Sequence, residues 1–393
     1  MEGLHQSRSR WTRLRRWAPH LLFVVGFLLI CCAYSYGRFL WLRPQPHHIF
    51  RQCDCLGMTW NYAFTDANFF HPRMCNLHAD HDTAGYTAAE FPLIYWGVGM
   101  LWRLIGQSEF AFRLIMLLLH FGGSYALFLL TSRITRSSFW GIWTSLLFFT
   151  SPATVYFAVS FLPEVPAFDL GLIGCWWFYR YFTERRRGQL IWALAFTSLA
   201  MLLKVTAGFF FVALWGVLLL ESLGVGMKRS AWRLFPRPRS IWPWFLAALV
   251  PVVLWYTYSQ HYNDVHANPF TQTGLSPLWK MSATELAHAL HEACTIVVYE
   301  IFSLPVWGMF LGFFLLLAFA ARSLPWQVVA FHALFLIGLA LYLVGSTAAL
   351  NDHDYYFICP QIILMAWVVT VLWKYSGNER SIIRSPWFKV AAM

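Results

Sequence analysis

The chain has 393 residues, of which 59% are hydrophobic, 19% aromatic and only 12% charged, and its net charge is +11. A soluble domain is about half apolar and about a quarter charged, so this composition excludes an ordinary soluble protein and indicates that lipid surrounds much of the chain. The positive charge does not indicate nucleic-acid binding, because the basic residues form short clusters between apolar runs, where they orient membrane helices.

Apolar segments follow one another along the chain as candidate membrane spans. The first comes after a basic stretch that ends at Arg16, and its length and bulky end favour a retained helix over a cleaved signal peptide. A helix needs about 20 residues to cross the hydrocarbon core of a bilayer. The segments cover residues 20–42, 91–105, 110–131, 139–158, 163–182, 189–203, 205–221, 241–258, 300–321, 326–346 and 357–374.

The segment at 91–105 decides the topology. It is short and carries Arg103 near its end, which is typical of an interfacial helix. If it does not cross the membrane, every basic cluster falls on the side of the N-terminus, as the positive-inside rule requires; if it crosses, every later loop violates the rule. The clusters contain Arg133 and Arg136; Arg185, Arg186 and Arg187; Lys228, Arg229, Arg233, Arg237 and Arg239; Arg322; and Lys374, Arg380, Arg384 and Lys389.

The sequence therefore predicts an all-α polytopic membrane protein with about ten transmembrane helices and both ends cytoplasmic. Residues 1–19 form a basic N-terminus, residues 20–375 a transmembrane domain, and residues 376–393 a cytoplasmic tail. Two long loops, 43–109 and about 259–299, lie outside, and the first is expected to hold juxtamembrane helices.

The outer loops collect the acidic residues and most histidines. Ionisable residues at a membrane surface are costly and often functional. The acids are Asp54, Asp66, Asp80, Asp82, Glu90, Glu164, Asp264, Glu285, Asp352 and Asp354, and the histidines are His47, His48, His71, His78, His81, His261, His266 and His353.

Three outer residues each allow two interpretations. Glu164, between Pro163 and Pro166, is either a functional acid or a helix-capping acid that favours the helix dipole. Asp54 is either a general base or a solvated acid paired with Arg51, and spacing alone favours the second. Lys204 interrupts an apolar stretch, so it either binds a lipid phosphate or snorkels to the interface.

A polar and aromatic run at residues 351–356 precedes the last apolar segment. It offers hydrogen-bond donors, acceptors and two aromatic faces, which suit a phosphate or a sugar. An aromatic belt at the membrane interface would explain Tyr355 and Tyr356, but it would not explain His353 and Asp354 together.

A metal site is a weaker prediction. His78, Asp80, His81 and Asp82 resemble metal ligands, but their spacing matches no closed zinc pattern, so the metal requirement stays open. No cofactor is predicted with certainty, and no nucleotide-binding motif is found in a fitting context. In an oxidising compartment, Cys75 is a candidate to pair with Cys53 or Cys55.

The order and spacing of these elements resemble the membrane-embedded glycosyltransferases of the GT-C superfamily, in the branch with protein O-mannosyltransferases and aminoarabinose transferases. The likeness is greatest to bacterial members with an Arg-Gln-x-Asp signature. It covers about residues 40–375 and is strongest over residues 50–210. It rests on Arg51-Gln52-Cys53-Asp54, His71-Pro72-Arg73, Glu90-Phe91-Pro92-Leu93, Phe161-Leu162-Pro163-Glu164, Leu203-Lys204-Val205-Thr206 and His353-Asp354-Tyr355-Tyr356.

The resemblance implies an enzyme that moves a sugar from a polyprenyl-phosphate carrier to a lipid, glycan or protein acceptor, with inversion of configuration. Asp54 would be the general base, and Glu90 and Glu164 would position a substrate or hold a metal. Arg51, Lys204, His353, Tyr355 and Tyr356 would bind the donor phosphate, and Gln52, His71, Arg73 and Asp354 are further candidates for the pocket.

The implied site lies on the periplasmic or extracellular face of a bacterial inner membrane. A transporter or flippase of lipid-linked sugars is the alternative. It would place its ionisable residues near the middle of the membrane, whereas here they crowd one face.

Overall fold

The structure, a computed structural model, describes residues 2–226, 232–269, 277–350, 353–377 and 384–391. Within these ranges the chain is mostly helical and forms no strand. Two isolated bridges, Arg73 with Tyr86 and Ala79 with Ala84, are the only extended pairings found there. The all-α prediction is confirmed.

Sixteen α-helices follow one another along the described chain. They are α1 (Glu2–Ala33), α2 (Tyr36–Phe39), α3 (Ile49–Phe64), α4 (Leu93–Ile105), α5 (Glu109–Thr135), α6 (Ser138–Phe149), α7 (Pro152–Phe157), α8 (Glu164–Glu184), α9 (Arg187–Leu203), α10 (Phe209–Ser222), α11 (Trp242–Val265), α12 (Ala283–Ile296), α13 (Leu304–Ala320), α14 (Trp326–Gly345), α15 (Gln361–Ser376) and α16 (Pro386–Ala391). A π-helix at Val297–Ile301 follows α12, and short 3-10 helices at Val205–Gly208 and Asp354–Phe357 precede α10 and α15.

Several of these helices are long and apolar enough to cross a membrane. Six continuous helical stretches meet that standard in the described part of the chain: Glu109–Thr135, Val205–Ser222, Pro238–Val265, Leu304–Ser323, Trp326–Gly345 and Asp354–Ser376. Shorter apolar helices cover Trp17–Ala33, Leu93–Ile105, Ser138–Phe149 and Arg187–Leu203. The chain is thus a polytopic membrane protein, and the number of ten spans stays a prediction.

Two predicted continuous spans are broken in the structure. The segment 20–42 is interrupted after α1, where Ser35 adopts a left-handed backbone with φ of 56°. The segment 139–158 is split between α6 and α7, because Pro152 begins a new helix and cannot continue the previous one. The predicted outer loop 259–299 is largely helical: α11 extends to Val265, and a capping box of Ser282 and Glu285 starts α12.

Helices α3 and α4 lie within the first outer loop and pack against each other. Along α4, the side chains of Tyr95, Val98 and Trp102 are buried at a spacing of three to four residues, the pattern of an amphipathic helix. Gly99 permits the close approach, since a Cβ atom there would lie 2.9 Å from the Cβ atom of Tyr62. The buried apolar residues of the two helices belong to a hydrophobic cluster that is separate from the main core.

The hairpin of α8 and α9 defines two ends of the bundle. Glu164 begins α8 and Lys204 follows the last residue of α9, so both lie at one end. At the other end, residues from the predicted cytoplasmic loops and the tail line one cavity of about 570 Å³, among them Arg133, Arg136, Thr183, Trp232, Gln327 and Arg384. We call this the basic end; its predicted members Lys228, Arg229 and Arg380 lie outside the described residues.

Candidate active site

Four charged side chains meet at the end of the bundle where α8 begins. The Lys204 ammonium nitrogen lies 2.7 Å from a Glu164 carboxylate oxygen and 3.2 Å from a Glu90 oxygen, and Arg51 pairs with the other Glu90 oxygen. The Glu164 side chain is 1% exposed and that of Lys204 is 13% exposed. We call this set, Arg51, Glu90, Lys204 and Glu164, the ionic network.

The backbone brings these residues together from four parts of the chain. Arg51 lies in the first turn of α3, and Glu164 is the first residue of α8. The amide of Phe91 donates to the carbonyl of Leu202 over 3.0 Å, which holds Glu90 beside the end of α9. Lys204 has an extended backbone between α9 and the next 3-10 helix, so the break in the helix points its side chain towards the acids.

The network is neutral in formal charge, with two cations and two carboxylates. Burial by itself would raise the pKa of Glu90, but Arg51 and Lys204 outweigh it and lower that pKa to about 2. Burial would lower the pKa of Lys204, but Glu164 and Glu90 hold it well above its usual value. Glu90 and Lys204 therefore stay ionised, as a paired buried charge requires.

The electrostatic pairing leaves Glu164 with unused acceptors. Its contact with Lys204 is an ion pair without hydrogen-bond alignment, and neither carboxylate oxygen accepts a hydrogen bond from the described residues. Buried polar atoms are nearly always hydrogen-bonded in native proteins. The Glu164 oxygen that does not contact Lys204, and the remaining lone pairs of the one that does, are suited to receive hydroxyl donors from a bound substrate.

Aromatic side chains from the segment before α15 cover Lys204. Its nitrogen lies 4.6 Å from the ring centroid of Tyr356 and 5.9 Å from that of Tyr355, within the range of cation–π interactions. The imidazole of His353 stacks on Tyr356 at 4.9 Å. The structure thus brings His353, Tyr355 and Tyr356 to the network, as the sequence predicted; Asn351 and Asp352 of the same run lie outside the described residues.

Asp54 lies on α3, one turn after Arg51. It accepts a hydrogen bond of 3.1 Å from the side chain of Asn76 and is half-buried. Burial raises the pKa of Asp54 above its usual value, although Arg51 and Asn76 lower it. The alternative of a solvated loop acid paired with Arg51 is wrong, because Asp54 is helical and Arg51 pairs with Glu90.

The alternatives for Lys204 and Glu164 have clear outcomes as well. Lys204 does not snorkel to the interface, because its ammonium group is buried between two carboxylates. Glu164 does begin a helix, but its carboxylate pairs with Lys204 and no side-chain cap forms there.

Three further candidates for the pocket lie elsewhere. Gln52 is fully buried and donates to the His47 carbonyl and to the Tyr156 hydroxyl, over 2.7 and 3.2 Å, so it holds the segment before α3. His71 pairs with Asp66 at 2.9 Å on the surface. The guanidinium of Arg73 lies over the ring of Tyr86 at 4.2 Å. Among the described contacts, none joins His71 or Arg73 to the ionic network.

The four weak metal candidates do not form a ligand set. His78 pairs with Asp82 at 3.5 Å, whereas Asp80 pairs with His266 at 3.2 Å. Asp80, His81 and Asp82 all have left-handed backbones, with φ between 49° and 63°, and the four candidates do not come together as a group of ligands.

A different cluster, missed by the sequence reasoning, has ligand spacing. The Nε2 atoms of His47 and His48 lie 3.0 and 2.8 Å from the two carboxylate oxygens of Asp354. In the described part of the chain, this is the one group of three such residues whose ligand atoms lie within 4.8 Å of one another. The available signal was the pair of adjacent histidines, which precede Arg51-Gln52-Cys53-Asp54 with two residues between them.

An apolar cavity of about 590 Å³ lies between α12, α14 and α15. Its lining includes Ile301 and Phe357, which come from the π-helix and from the 3-10 helix that carries Tyr355. The cavity therefore reaches the segment that covers Lys204. Its apolar walls suit a hydrocarbon chain.

The cysteines of the first outer loop are not joined in the structure. Cys53, Cys55 and Cys75 are all free thiols. Cys55 is buried and accepts a hydrogen bond of 3.2 Å from the Tyr95 hydroxyl. Of the two predicted disulfide partners of Cys75, Cys55 is buried and bonded to Tyr95, whereas Cys53 is only half-buried.

Comparison with known protein families gave one match. Residues 89–255 match the family model described as dolichyl-phosphate-mannose-protein mannosyltransferase. The match spans less than half of the chain, contains Glu90, Glu164 and Lys204, and supports the GT-C superfamily and a membrane glycosyltransferase. No curated protein and no solved structure matches the chain.

Proposed function

We propose that the protein is an inverting glycosyltransferase that moves a sugar from a polyprenyl-phosphate carrier to a hydroxyl group of a lipid, glycan or protein acceptor. The observation that carries the proposal is the ionic network, a buried pair of cations beside Asp54 and two tyrosines. Buried charges are costly, and in a membrane protein they mark substrate sites more often than structural contacts.

Asp54 acts as the general base of this reaction. Its carboxylate takes the proton from the acceptor hydroxyl while the acceptor oxygen attacks the anomeric carbon of the sugar. The bond between that carbon and the phosphate oxygen breaks, and the electron pair leaves with the carrier phosphate. A single displacement of this kind inverts the anomeric configuration. The raised pKa of Asp54 makes it a stronger base than an ordinary aspartate.

Lys204 and Arg51 stabilise the leaving phosphate. Negative charge grows on the phosphate as the bond breaks, and fixed cations in a site without bulk water stabilise such charge strongly. Glu90 pairs with both cations and thereby fixes their positions before substrate arrives. His353 and the hydroxyl of Tyr355 or Tyr356 supply further donors at the same place.

Glu164 positions the sugar or the acceptor. Its two oxygens are buried without hydrogen-bond partners among the described residues, so a substrate hydroxyl would satisfy them. The apolar cavity beside Phe357 accommodates the first part of the carrier lipid. The substrate is thus held at three points: phosphate, sugar and tail.

We further propose that the site faces the periplasm or cell exterior of a bacterial inner membrane, with both chain ends in the cytoplasm. The positive-inside rule supports this orientation, because the basic end lies opposite the ionic network.

One observation favours the second candidate, a transporter of lipid-linked sugars. His120 and Asp169 form a buried pair, with 3.0 Å between ring nitrogen and carboxylate, within α5 and α8 and away from the helix ends. Paired ionisable residues inside a membrane occur in proton-coupled transporters. A transporter would lose activity in His120→Ala, whereas the proposed transferase would retain sugar transfer by correctly folded protein.

Sugar transfer in membranes supplied with labelled polyprenyl-phosphate sugars tests the transferase. Asp54→Asn should lower the rate by about 10²–10⁴-fold, because it removes the base while keeping the size of the side chain. Asp66→Asn is the matched control, an exposed acid of the same outer loop, and should transfer normally. Full transfer by Asp54→Asn would refute its role as base, and no transfer by the wild type across several sugars would refute the transferase.

A further inference from the structure

Two histidines and one aspartate converge from distant parts of the sequence. The His47 and His48 Nε2 atoms each face a different oxygen of the Asp354 carboxylate, over 3.0 and 2.8 Å. Adjacent residues normally direct their side chains apart. Here His48 has a left-handed backbone with φ of 52°, and the two imidazole centroids lie only 4.3 Å apart. A left-handed backbone is unfavourable for a residue other than glycine. The conformation that brings these two rings together therefore has a cost in conformational free energy.

The spacing suits one metal ion. All three ligand atoms lie within 4.8 Å of one another. Ligands at about 2.0–2.1 Å from a tetrahedral zinc ion lie about 3.3 Å apart, so small side-chain adjustments are sufficient. Two imidazoles and one carboxylate form a donor set that zinc takes in catalytic sites, with a fourth position left open.

The surroundings are rigid on one side and open on the other. The His48 ring stacks with His353 at 5.8 Å and meets the Tyr355 ring edge-on at 4.8 Å. The Asp354 side chain is 5% exposed, whereas that of His47 is 47% exposed, so an ion can enter from the His47 side. Such a mostly enclosed and preformed site loses little entropy on binding.

A second carboxyl group lies beside the cluster. Glu300, on the π-helix, interacts electrostatically with Asp354 and His47 and so lies near the cluster. Isolated π-helical turns are frequent at functional sites.

We propose that His47, His48 and Asp354 bind one divalent transition metal of the zinc class, with Glu300 as an additional oxygen donor. The metal would fasten the segment before α3, which leads to Arg51 and Asp54, to the segment before α15, which carries Tyr355 and Tyr356. It would thereby fix both sides of the candidate active site. The inference stands on the geometry of its ligands and does not require the proposed function.

Metal content of the purified full-length protein tests this site. After incubation with zinc chloride and dialysis, the wild type should hold about one zinc per chain by mass spectrometry, and cobalt should give visible absorption of a tetrahedral nitrogen–oxygen site. His48→Asn, which keeps a residue tolerant of left-handed backbone, should weaken binding by at least ~100-fold. His71→Ala, which removes a histidine with its own aspartate partner, should leave binding unchanged.

The outcomes separate clearly. One equivalent of zinc that is lost in both His48→Asn and His47→Ala, and kept in His71→Ala, supports the site. No stoichiometric zinc in a folded wild type, or equal zinc in His48→Asn, overturns it. Size-exclusion elution and helical content check that each variant is folded. Zinc binding should also raise the Tm of the wild type and leave that of His48→Asn unchanged.

Discussion

The two ends of the helix bundle use charge in opposite ways. At one end, the ionic network is enclosed by protein, and each of its members pairs with a group of opposite sign. At the basic end, Arg133, Arg136 and Arg185 are exposed. Arg185 donates to backbone carbonyls of Arg233 and Leu234 rather than to an acid.

Under the proposed function, the buried charges of the ionic network serve the reaction, and the exposed charges of the basic end orient the protein in the membrane. An exposed arginine has little desolvation cost. To orient a membrane protein it only has to lie in a loop on the cytoplasmic side. The desolvation cost of a buried ion pair is often larger than its Coulombic gain. Stability alone therefore does not explain why the ionic network is present. The basic end does contain one buried acid, Glu221, but the backbone amides of Leu234 and Phe235 donate to it over 2.9 and 2.8 Å. Both oxygens of that acid accept hydrogen bonds, whereas Glu164 has an ion pair with Lys204 but accepts no hydrogen bond from the described residues.

The largest effect on stability is expected at Lys204. Lys204→Met leaves Glu90 with one cation and Glu164 with none, and breaking a buried ion pair from one side costs about 3–5 kcal/mol. Arg185→Met at the basic end should cost less than about 1 kcal/mol, because its side chain is exposed. Denaturant or thermal unfolding in detergent measures both. Equal losses would show that the two ends do not differ as described.

A smaller loss of stability is expected at Glu221, without loss of function. Glu221→Gln weakens the acceptor for two buried amides, which should cost about 1–3 kcal/mol in the free energy of unfolding. The rate of sugar transfer per folded molecule should stay as in the wild type, because the residue lies at the end away from the ionic network. A lower rate of sugar transfer in correctly folded Glu221→Gln would show that the basic end also contributes to catalysis.

The smallest effect is a shift in the pH dependence of sugar transfer. Under the proposed mechanism transfer requires ionised Asp54, so the rate should fall as pH decreases through the pKa of Asp54, which burial raises above the usual aspartate value. Asn76 donates a hydrogen bond to the ionised form and lowers that pKa. Asn76→Ala should therefore move the acidic limb of the pH–rate profile to higher pH. An unchanged limb, with the overall rate preserved, would mean that another group acts as the base.

Much of this contrast was predictable from the sequence. The apolar runs of the sequence correspond to helices in the structure. The basic clusters between these runs come together at the basic end, as the positive-inside rule predicts. The resemblance pointed to Arg51, Glu90, Glu164, Lys204 and the tyrosines as one site, and the structure brings them together. Residue spacing alone favoured a weaker role for Asp54, because no local pattern shows that a helix will half-bury it.

What could not be predicted depends on contacts between distant segments. Whether Arg51 pairs with Asp54 or Glu90 is decided by the backbone bond between Phe91 and Leu202, which joins residues over 100 positions apart. The metal-like run at 78–82 was misleading because its members take different partners: His78 pairs with Asp82, and Asp80 pairs with His266. The adjacent histidines 47 and 48 were passed over because their partner, Asp354, lies some 300 residues further along.

The most direct test of this account is the binding of labelled polyprenyl phosphate to the purified protein in lipid nanodiscs. The informative variant is Lys204→Met with Glu164→Gln, which removes one charge of each sign and leaves the Arg51–Glu90 pair intact. Arg133→Gln at the basic end is the control. We expect the double variant to bind polyprenyl phosphate at least ~10-fold more weakly, because it lacks one charge-assisted contact to the phosphate. Arg133→Gln should bind like the wild type. Unchanged binding by a folded double variant, or a loss confined to Arg133→Gln, would contradict the assignment of the phosphate site to the ionic network.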